Sequence, residues 1–273
     1  MLDFVELMTK PFVACLVLTA IHVYFGLHVV KRGIIFVDLA LAQVSALGAT
    51  VGFLWGIELH SPPSYVFGLA FTLVGAAVFT VTRSRNPVVP QEALIGIVYV
   101  VSAAAVILVL SRAPEGGEEL KAILVGHLLF VEWSEIITIS ILYAVIAGVH
   151  WWARGPILAI SENPEAAFAQ GARVRRWDFL FYATFGLVVT SAVQTAGVLL
   201  VFAFLIVPAI CGVFLAQSTG FRLLIGWLTG ILTSFAGIAA SYYLDLPTGA
   251  TIVCAFGVTL LICAGLRPII RSR

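Results

Sequence analysis

The chain has 273 residues, of which 61% are hydrophobic and only 11% are charged, and its formal net charge is +1. Soluble domains carry about twice that charged fraction, so the composition excludes a mainly soluble protein. Apolar runs of about twenty residues recur along the whole length, which is typical of a polytopic membrane protein.

Nine apolar runs are predicted to span the membrane as helices. In chain order they are Pro11–Val30, Ile34–Trp55, Tyr65–Thr82, Glu92–Leu110, Glu135–Trp152, Asp178–Val193, Ala196–Leu215, Phe221–Tyr242 and Thr248–Leu266. The sixth and seventh are divided only by Gln194 and Thr195, so they are two spans with a tight turn or a broken pair, and eight to ten spans are compatible. Lys121–Val131 is too short to span and is predicted to be re-entrant or interfacial. We therefore expect an all-α helix bundle that forms one transmembrane domain, residues 1–273.

The second span carries the carboxylate that lies well inside an apolar run, Asp38. An ionised group at membrane depth is costly, so it usually faces a bundle interior, an ion path or a partner charge. The polar Gln43 follows five residues later. The alternative is that Asp38 pairs with Lys31 or Arg32 near the membrane surface.

The same span carries three glycines at intervals of four residues, Gly48, Gly52 and Gly56. Overlapping small-xxx-small repeats form a ridge along which another helix can approach closely. We therefore expect these glycines to pack against a neighbouring helix.

The charges predict the orientation of the chain. If the turn at Lys31 and Arg32 is cytoplasmic, alternation places twelve basic residues inside and three outside, which is a strong positive-inside bias. The inner ones are Lys31, Arg32, Arg83, Arg85, Arg154, Arg173, Arg175, Arg176, Arg222, Arg267, Arg271 and Arg273, and the outer ones are Lys10, Arg112 and Lys121. The N-terminus is then outside and the C-terminus in the cytoplasm.

The longest predicted cytoplasmic segment runs from about residue 154 to 177. Ser161 or Asn163 can cap a short helix there, Pro164 suits its first position, and Gly171 ends it. Its acidic, small and aromatic residues suit insertion into a groove on another protein, and a loop helix with no partner is the alternative. The candidate contact residues are Glu162, Glu165, Ala166, Ala167, Phe168, Ala169 and Gly171.

Five stretches in order resemble the membrane permease subunit of bacterial ABC importers for zinc, manganese or iron. They are KRGIIFVDLALAQVSALGATVGF, VPQEALIGIVYVV, ENPEAAFAQGARVRRWDFLFY, GVLLVFAFLIVPAICGVFLA and YYLDLPTGATIVCAF. The first resembles the family's arginine turn and its Asp-Ala-Leu-Ser-His-like helix, and the third resembles its cytoplasmic coupling segment.

The resemblance implies a multi-pass protein of the bacterial cytoplasmic membrane that works as a homodimer. It implies two cytoplasmic ATPase subunits, an external metal-binding protein, and no nucleic-acid partner. The chain has no GxxxxGK[ST] loop, so we expect ATP hydrolysis on another polypeptide and no enzymatic activity here. The segment from Glu162 to Gly171 would lie in the ATPase cleft. A divalent metal ion would be the transported substrate, with no tightly bound cofactor.

The chain departs from the family at the predicted metal contacts. The family places an acid and a histidine four residues apart, but here Ala42 or Gln43 stands at the histidine position, depending on the alignment. Asp38 and Gln43 differ by about 140° around an ideal helix, so they converge only if a π-bulge absorbs one residue. His22 on the first span, at about the depth of Gln43, or His28 could supply an imidazole, which suits zinc, manganese or iron(II). The predicted metal contacts are therefore Asp38, Gln43 and His22, with His60, His127 and His150 expected near the interface.

Two other functions stay open at this stage. An ion-gradient-driven transporter or channel would use Asp38 as a proton or sodium site and would leave the Glu162–Gly171 helix without a partner. An iron-chelate or cobalamin-type ABC permease would need a wider pathway. We expect a metal-ion importer whose contacts are few and weak, because a conduit must release its cargo.

Overall fold

The computed structural model describes residues 2–58, 61–83, 89–111, 123–169 and 173–271, and it describes their side chains except at 2–3, 168–169 and 267–271. Within these ranges all regular secondary structure is helical. The helices are α1 (Leu2–Arg32), α2 (Val37–Leu54), α3 (Pro62–Thr82), α4 (Gln91–Leu110), α5 (Trp133–Trp152), α6 (Arg154–Glu162), α7 (Pro164–Ala169), α8 (Val174–Leu215), α9 (Thr219–Leu244) and α10 (Thr248–Arg271), with a 3-10 turn at Leu128–Phe130. The predicted all-α fold is confirmed. His60, Arg85, Arg112, Lys121, Gly171 and Arg273 lie outside the described residues.

Eight helices in the described ranges are long and apolar enough to cross a membrane. The predicted sixth and seventh spans are both contained in α8, whose 42 residues are interrupted by non-helical geometry at Gly197 (φ 76°, ψ 160°). A straight helix of that length would extend about 63 Å, roughly twice the hydrocarbon core of a bilayer. The break therefore divides α8 into two helices, and it lies two residues beyond the predicted divide at Gln194 and Thr195.

The chain forms two compact units, and the single transmembrane domain stays a prediction. Unit 1 contains Met1–Val30, Leu124–Tyr143 and Thr195–Arg273, and unit 2 contains Lys31–Ile123 and Ala144–Gln194. The helices α1, α5 and α8 each contribute residues to both units. Each unit is described by itself below.

In unit 1, α1 and α9 pack antiparallel. Phe4 contacts Tyr242 at one end of the pair, with ring centroids 5.0 Å apart, and Thr19 packs on Gly230 further along. A Cβ at Gly26 would overlap the backbone oxygen of Leu205 in α8. These close approaches are typical of membrane helices, whose association depends on van der Waals packing of small residues.

The segment before Leu128 packs on the α8 break within unit 1. Gly126 (φ 69°) and Gly197 (φ 76°) are both in the left-handed region, and a Cβ on either would meet the backbone of the other's segment. The His127 N–H donates to the Thr195 carbonyl over 3.1 Å. At membrane depth, the backbone groups freed by a helix break need such hydrogen-bond partners. This short segment therefore supplies a partner to the break in α8 and does not itself span the membrane.

Unit 2 is built around α2. This helix packs on α3 and α4, and Ala46 lies in a buried cluster with Val106 and Leu110 of α4. The first part of α8 runs antiparallel to α3, since Tyr182 contacts Phe79 and Thr190 shares a 3.0 Å hydrogen bond with Thr72. The helix α2, which carries the predicted contacts Asp38 and Gln43, is thus packed against protein on several sides.

Candidate functional site

Asp38 lies in the first turn of α2 and is only 1% exposed. Among the described residues, its Oδ1 atom has no hydrogen-bond partner. A buried carboxylate oxygen without a partner carries a large desolvation cost. Asp38 is therefore a candidate functional group, because an ionisable residue at membrane depth usually faces a bundle interior, an ion path or a partner charge.

The alternative partners of Asp38 are engaged elsewhere. Lys31 Nζ lies 3.1 Å from Glu162 Oε1, and Arg32 Nη1 lies 2.9 Å from Asp178 Oδ1. The interpretation of Asp38 as the ion-pair partner of Lys31 or Arg32 is wrong, because these cations turn toward α6 and α8.

Asp38 and Gln43 face different neighbours. The helix α2 is regular α-helix from Val37 to Leu54, without the π-bulge that would bring the two together. Asp38 shares a helical face with Ser45, which packs on Gly68 of α3, whereas Gln43 shares a face with Leu47, which packs against the cluster that Ala46 forms with α4. Gln43 is buried as well, so the structure presents two separate polar contacts and does not join them in one site.

The predicted glycine ridge ends at Gly52. A Cβ at Gly48 would lie 2.5 Å from the Phe67 carbonyl oxygen, and one at Gly52 would lie 3.3 Å from the Phe67 ring. Gly56 differs, because it lies beyond the end of α2, has φ 81° and meets no atom within 4 Å. Its role is to turn the chain after the helix.

His22 is fully buried in unit 1. Its Nδ1 atom lies 2.7 Å from the Leu18 carbonyl oxygen, which can only accept, so we assign the proton to Nδ1 and the lone pair to Nε2. Nε2 and the neighbouring Thr19 Oγ1 are both buried without a hydrogen-bond partner among the described residues. A backbone carbonyl that fixes the tautomer is the usual support for a ligating imidazole.

The other described histidines have different surroundings. His28 is buried against Tyr24, with ring centroids 4.7 Å apart. His127 is exposed and lies 3.8 Å from Glu135. His150, in the last turn of α5, is buried in unit 2, and its Nε2 shares a 2.7 Å hydrogen bond with Thr184 Oγ1.

Within the described ranges, no three His, Cys, Asp or Glu side chains come together as a metal-ligand group. The candidate contacts of unit 2 are Asp38 and Gln43, and the candidate contact of unit 1 is His22. Each can offer one donor to a passing cation.

The predicted cytoplasmic segment consists of two short helices, α6 and α7. Asn163 lies between them, its Oδ1 accepts from the Ala166 N–H over 2.9 Å, and Pro164 takes the first position of α7. The predicted cap is therefore confirmed at Asn163. Ser161 instead donates to Ile157 and accepts from Arg32.

The contact surface of this segment differs from the prediction at Ala167. This residue is buried with Ile160 and Val174 and packs near Trp177, so it is not available to a partner. Glu162 and Glu165 are exposed, and Ala166 is half-buried. The backbones of Phe168 and Ala169 complete α7, and Gly171 lies outside the described residues.

A buried charge cluster in unit 2 was not predicted from the sequence. Asp178 Oδ1 lies 2.9 Å from Arg32 Nη1, and Asp178 Oδ2 lies 3.1 Å from Arg83 Nη1; the Asp178 and Arg32 side chains are fully buried. Arg32 Nε also donates to Ser161 Oγ over 2.8 Å, and its guanidinium lies 3.9 Å from the centre of the Phe181 ring. This joint, defined as Arg32, Arg83, Ser161 and Asp178, connects the ends of α1 and α3 with α6 and α8. The sequence does contain a signal for this cluster. Asp178 stands at the start of a predicted span, on the cytoplasmic side to which Arg32 and Arg83 are also assigned.

A second missed contact fixes the start of α2. Glu92 of α4 accepts a 2.9 Å hydrogen bond from the Phe36 N–H, just before the helix begins. A carboxylate is favourable at a helix N-terminus because it complements the unpaired N–H groups and the helix dipole. This contact holds the turn that precedes Asp38.

The sequence and fold were compared with known proteins. The model of the ABC 3 transport family matches residues 4–266. The manganese import system permease protein ScaB of Streptococcus parasanguinis is 27% identical over 244 residues, which are 89% of this chain and 84% of ScaB. A probable iron transport system membrane protein of Haemophilus influenzae is 25% identical, over 91% of this chain and 89% of that protein. The structure of PsaBC from Streptococcus pneumoniae in complex with Fab has a similar fold, with a TM-score of 0.81 and 22% identity over 99% of this chain and 98% of that one.

Proposed function

The chain belongs to the ABC 3 transport family, and from this premise we propose that it is the permease subunit of an importer for a divalent transition-metal ion. A separate ATPase would drive transport into the cytoplasm, with the N-terminus outside and the C-terminus inside. Similar proteins named as manganese and iron permeases support the choice of cargo. An ion-gradient-driven transporter is less well supported, because it gives no role to the α6–α7 segment.

The observation that carries the proposal is the unpaired Asp38 carboxylate. It is buried in the helix that packs on both α3 and α4, and its Oδ1 has no described partner. A cation stripped of part of its water would gain there the electrostatic contact that no protein group provides. Asp38 is thus the principal transient contact in the proposed pathway.

Gln43 and His22 are proposed as further transient contacts, each within its own unit. Gln43 offers an amide oxygen and His22 offers Nε2. Separate single donors suit a conduit, because an ion held by many ligands at once would not be released.

The oxygen donors of unit 2 favour manganese over zinc. In unit 2 the contacts are oxygen atoms, since Gln43 or Ala42 replaces the family's histidine. Carboxylate and carbonyl oxygens suit manganese, whereas imidazole and thiolate suit zinc better. The similar proteins are named for manganese import and for iron transport.

The α6–α7 segment is proposed to contact the ATPase first through the exposed Glu165 and the half-buried Ala166. Its other side is attached to the permease, because Lys31 pairs with Glu162 and Arg32 binds Ser161. Movement of α6 would reach α1 directly through these bonds and α8 through the pair of Arg32 with Asp178. An external metal-binding protein and a second permease copy complete the proposed assembly.

The test is metal uptake by proteoliposomes that contain the permease and its ATPase. We expect ATP-dependent uptake of manganese or iron(II), and at least a tenfold reduction in Asp38→Asn, which keeps the shape of the side chain but removes its charge. Asp245→Asn is the matched control, since Asp245 is exposed in a turn where asparagine is also tolerated. Full uptake by a stably assembled Asp38→Asn permease, or uptake driven by an ion gradient without the ATPase, would contradict the proposal.

A further inference from the structure

A basic and aromatic surface lies where α5 ends and α8 begins, in unit 2. We call it the basic aromatic patch. It consists of Trp151, Trp152, Arg154, Arg175, Arg176 and Trp177. None of these residues belongs to the proposed ion path or to the Arg32–Asp178 joint.

Two ring contacts hold the patch together. The Arg154 guanidinium lies 4.2 Å from the centre of the Trp151 ring, which is cation–π geometry. Trp152 of α5 and Trp177 of α8 contact each other with ring centroids 5.8 Å apart. The contacts therefore place Arg154 on the end of α5 and bring the first turn of α8, which carries Arg175 and Arg176, beside the same end.

The aromatic side chains of the patch are largely uncovered. Trp151 is 71% exposed and Trp152 is 74% exposed, and both end an apolar helix of spanning length. Tryptophan is enriched at this level of a membrane, because its ring suits the boundary between headgroups and acyl chains. The patch thus lies at the height of lipid headgroups.

The positive charge of the patch is not neutralised within it. Arg154, Arg175 and Arg176 are exposed, and the acid nearest in sequence to Arg175 and Arg176, Asp178, is buried against Arg32 and Arg83. Arg175 shares a helix face with Phe179, one turn further along, which is 42% exposed. Exposed cations beside exposed aromatic rings match a ligand that has an anionic group at one end and an apolar chain at the other.

We propose that the basic aromatic patch binds the phosphodiester headgroup of an anionic phospholipid. The planar guanidinium groups would hold the phosphate oxygens, and the exposed rings of Trp151, Trp152 and Phe179 would contact the upper acyl chains. A soluble protein partner fits less well, because it would leave these rings at the membrane boundary without an apolar neighbour. The inference is independent of the transported ion.

The test is tryptophan quenching by brominated lipids in phosphatidylcholine vesicles. Acyl-chain bromines quench tryptophans that they contact, so brominated phosphatidylglycerol is compared with brominated phosphatidylcholine at the same mole fraction. We expect the full-length protein to prefer the anionic lipid by at least fivefold. The preference should fall below twofold in the triple variant Arg154→Gln, Arg175→Gln and Arg176→Gln, because each arginine near an anionic surface contributes about fivefold.

The triple variant keeps every tryptophan and changes only exposed side chains, so it should fold normally. If it does not, the double variant Arg175→Gln and Arg176→Gln is used and should still reduce the preference severalfold. Arg222→Gln is the control, because Arg222 starts a different span and bonds to the Ala216 carbonyl. Equal quenching by the two lipids, an equal loss in Arg222→Gln, or loss of the preference when the ATPase binds would each overturn the proposal.

Discussion

Asp38 and Asp178 are both fully buried aspartates of unit 2, yet their surroundings are opposite. Asp178 lies within 3.1 Å of two guanidinium groups, whereas Asp38 Oδ1 has no described hydrogen-bond partner. Both are at the start of a helix of spanning length. Burial alone therefore does not separate a structural carboxylate from a functional one.

Replacing the two aspartates is expected to change the stability of the protein in different ways. Removing one partner from a buried ion pair leaves the other charge uncompensated, which is strongly destabilising. Removing an unpartnered buried charge also removes its desolvation cost. We therefore expect Asp178→Asn to reduce mainly the stability of the permease and Asp38→Asn to reduce mainly its transport.

The largest effect is expected for Asp178→Asn. It leaves Arg32 and Arg83 without their shared anion, so the free energy of unfolding should fall by about 3–5 kcal/mol. Thermal unfolding of the purified permease in detergent, followed by tryptophan fluorescence, measures the change. Glu165→Gln is the control, because Glu165 is exposed. An unchanged melting temperature would remove the structural role of Asp178.

An intermediate effect is expected at the segment attached to this joint. Ala167→Glu forces a larger, charged side chain among Ile160, Val174 and Trp177, and should cost about 2–3 kcal/mol. Ala166→Glu, one residue earlier and half-buried, should cost less than about 1 kcal/mol and should weaken ATPase binding instead. Equal stabilities of the two variants would show that α7 does not pack on α6 and α8 as described.

The smallest effect on stability is expected for Asp38→Asn. The amide has nearly the same shape and carries no charge, so unfolding should change by less than about 1 kcal/mol or shift toward higher stability. The same melting experiment applies, with Asp245→Asn as the reference. A loss as large as that of Asp178→Asn would mean that Asp38 has a structural partner, and the contrast between the two aspartates would disappear.

The spans could be predicted because each needs only a local apolar run. Eight of the nine predicted runs fall within α1, α3–α5 and α8–α10, and the remaining one, Ile34–Trp55, extends past both ends of α2. The Asn163 cap is likewise a local signal. The α8 break was misplaced by two residues, because Gly197 needs its left-handed geometry to meet Gly126, far away in the chain.

The residues that sequence reasoning missed depend on distant pairs. Arg32 and Asp178 are separated by 146 positions, and no local period relates them. The burial of Ala167 and the Thr184 contact of His150 similarly require α8 to pack beside α6 and α5. The depth of Asp38 could be predicted from the sequence, but its lack of a partner could be seen only once every neighbour was in place.

The Arg32–Asp178 joint also has a consequence for the order in which the chain is made. Both arginines are synthesised before Asp178, so the nascent chain already contains two cations when their anion leaves the ribosome. Until then the ends of α1 and α3 cannot adopt their final buried positions without a stranded charge. The helices that emerge first must wait for the sixth predicted span, so unit 2 cannot complete its assembly in the membrane until about two thirds of the 273 residues have been translated.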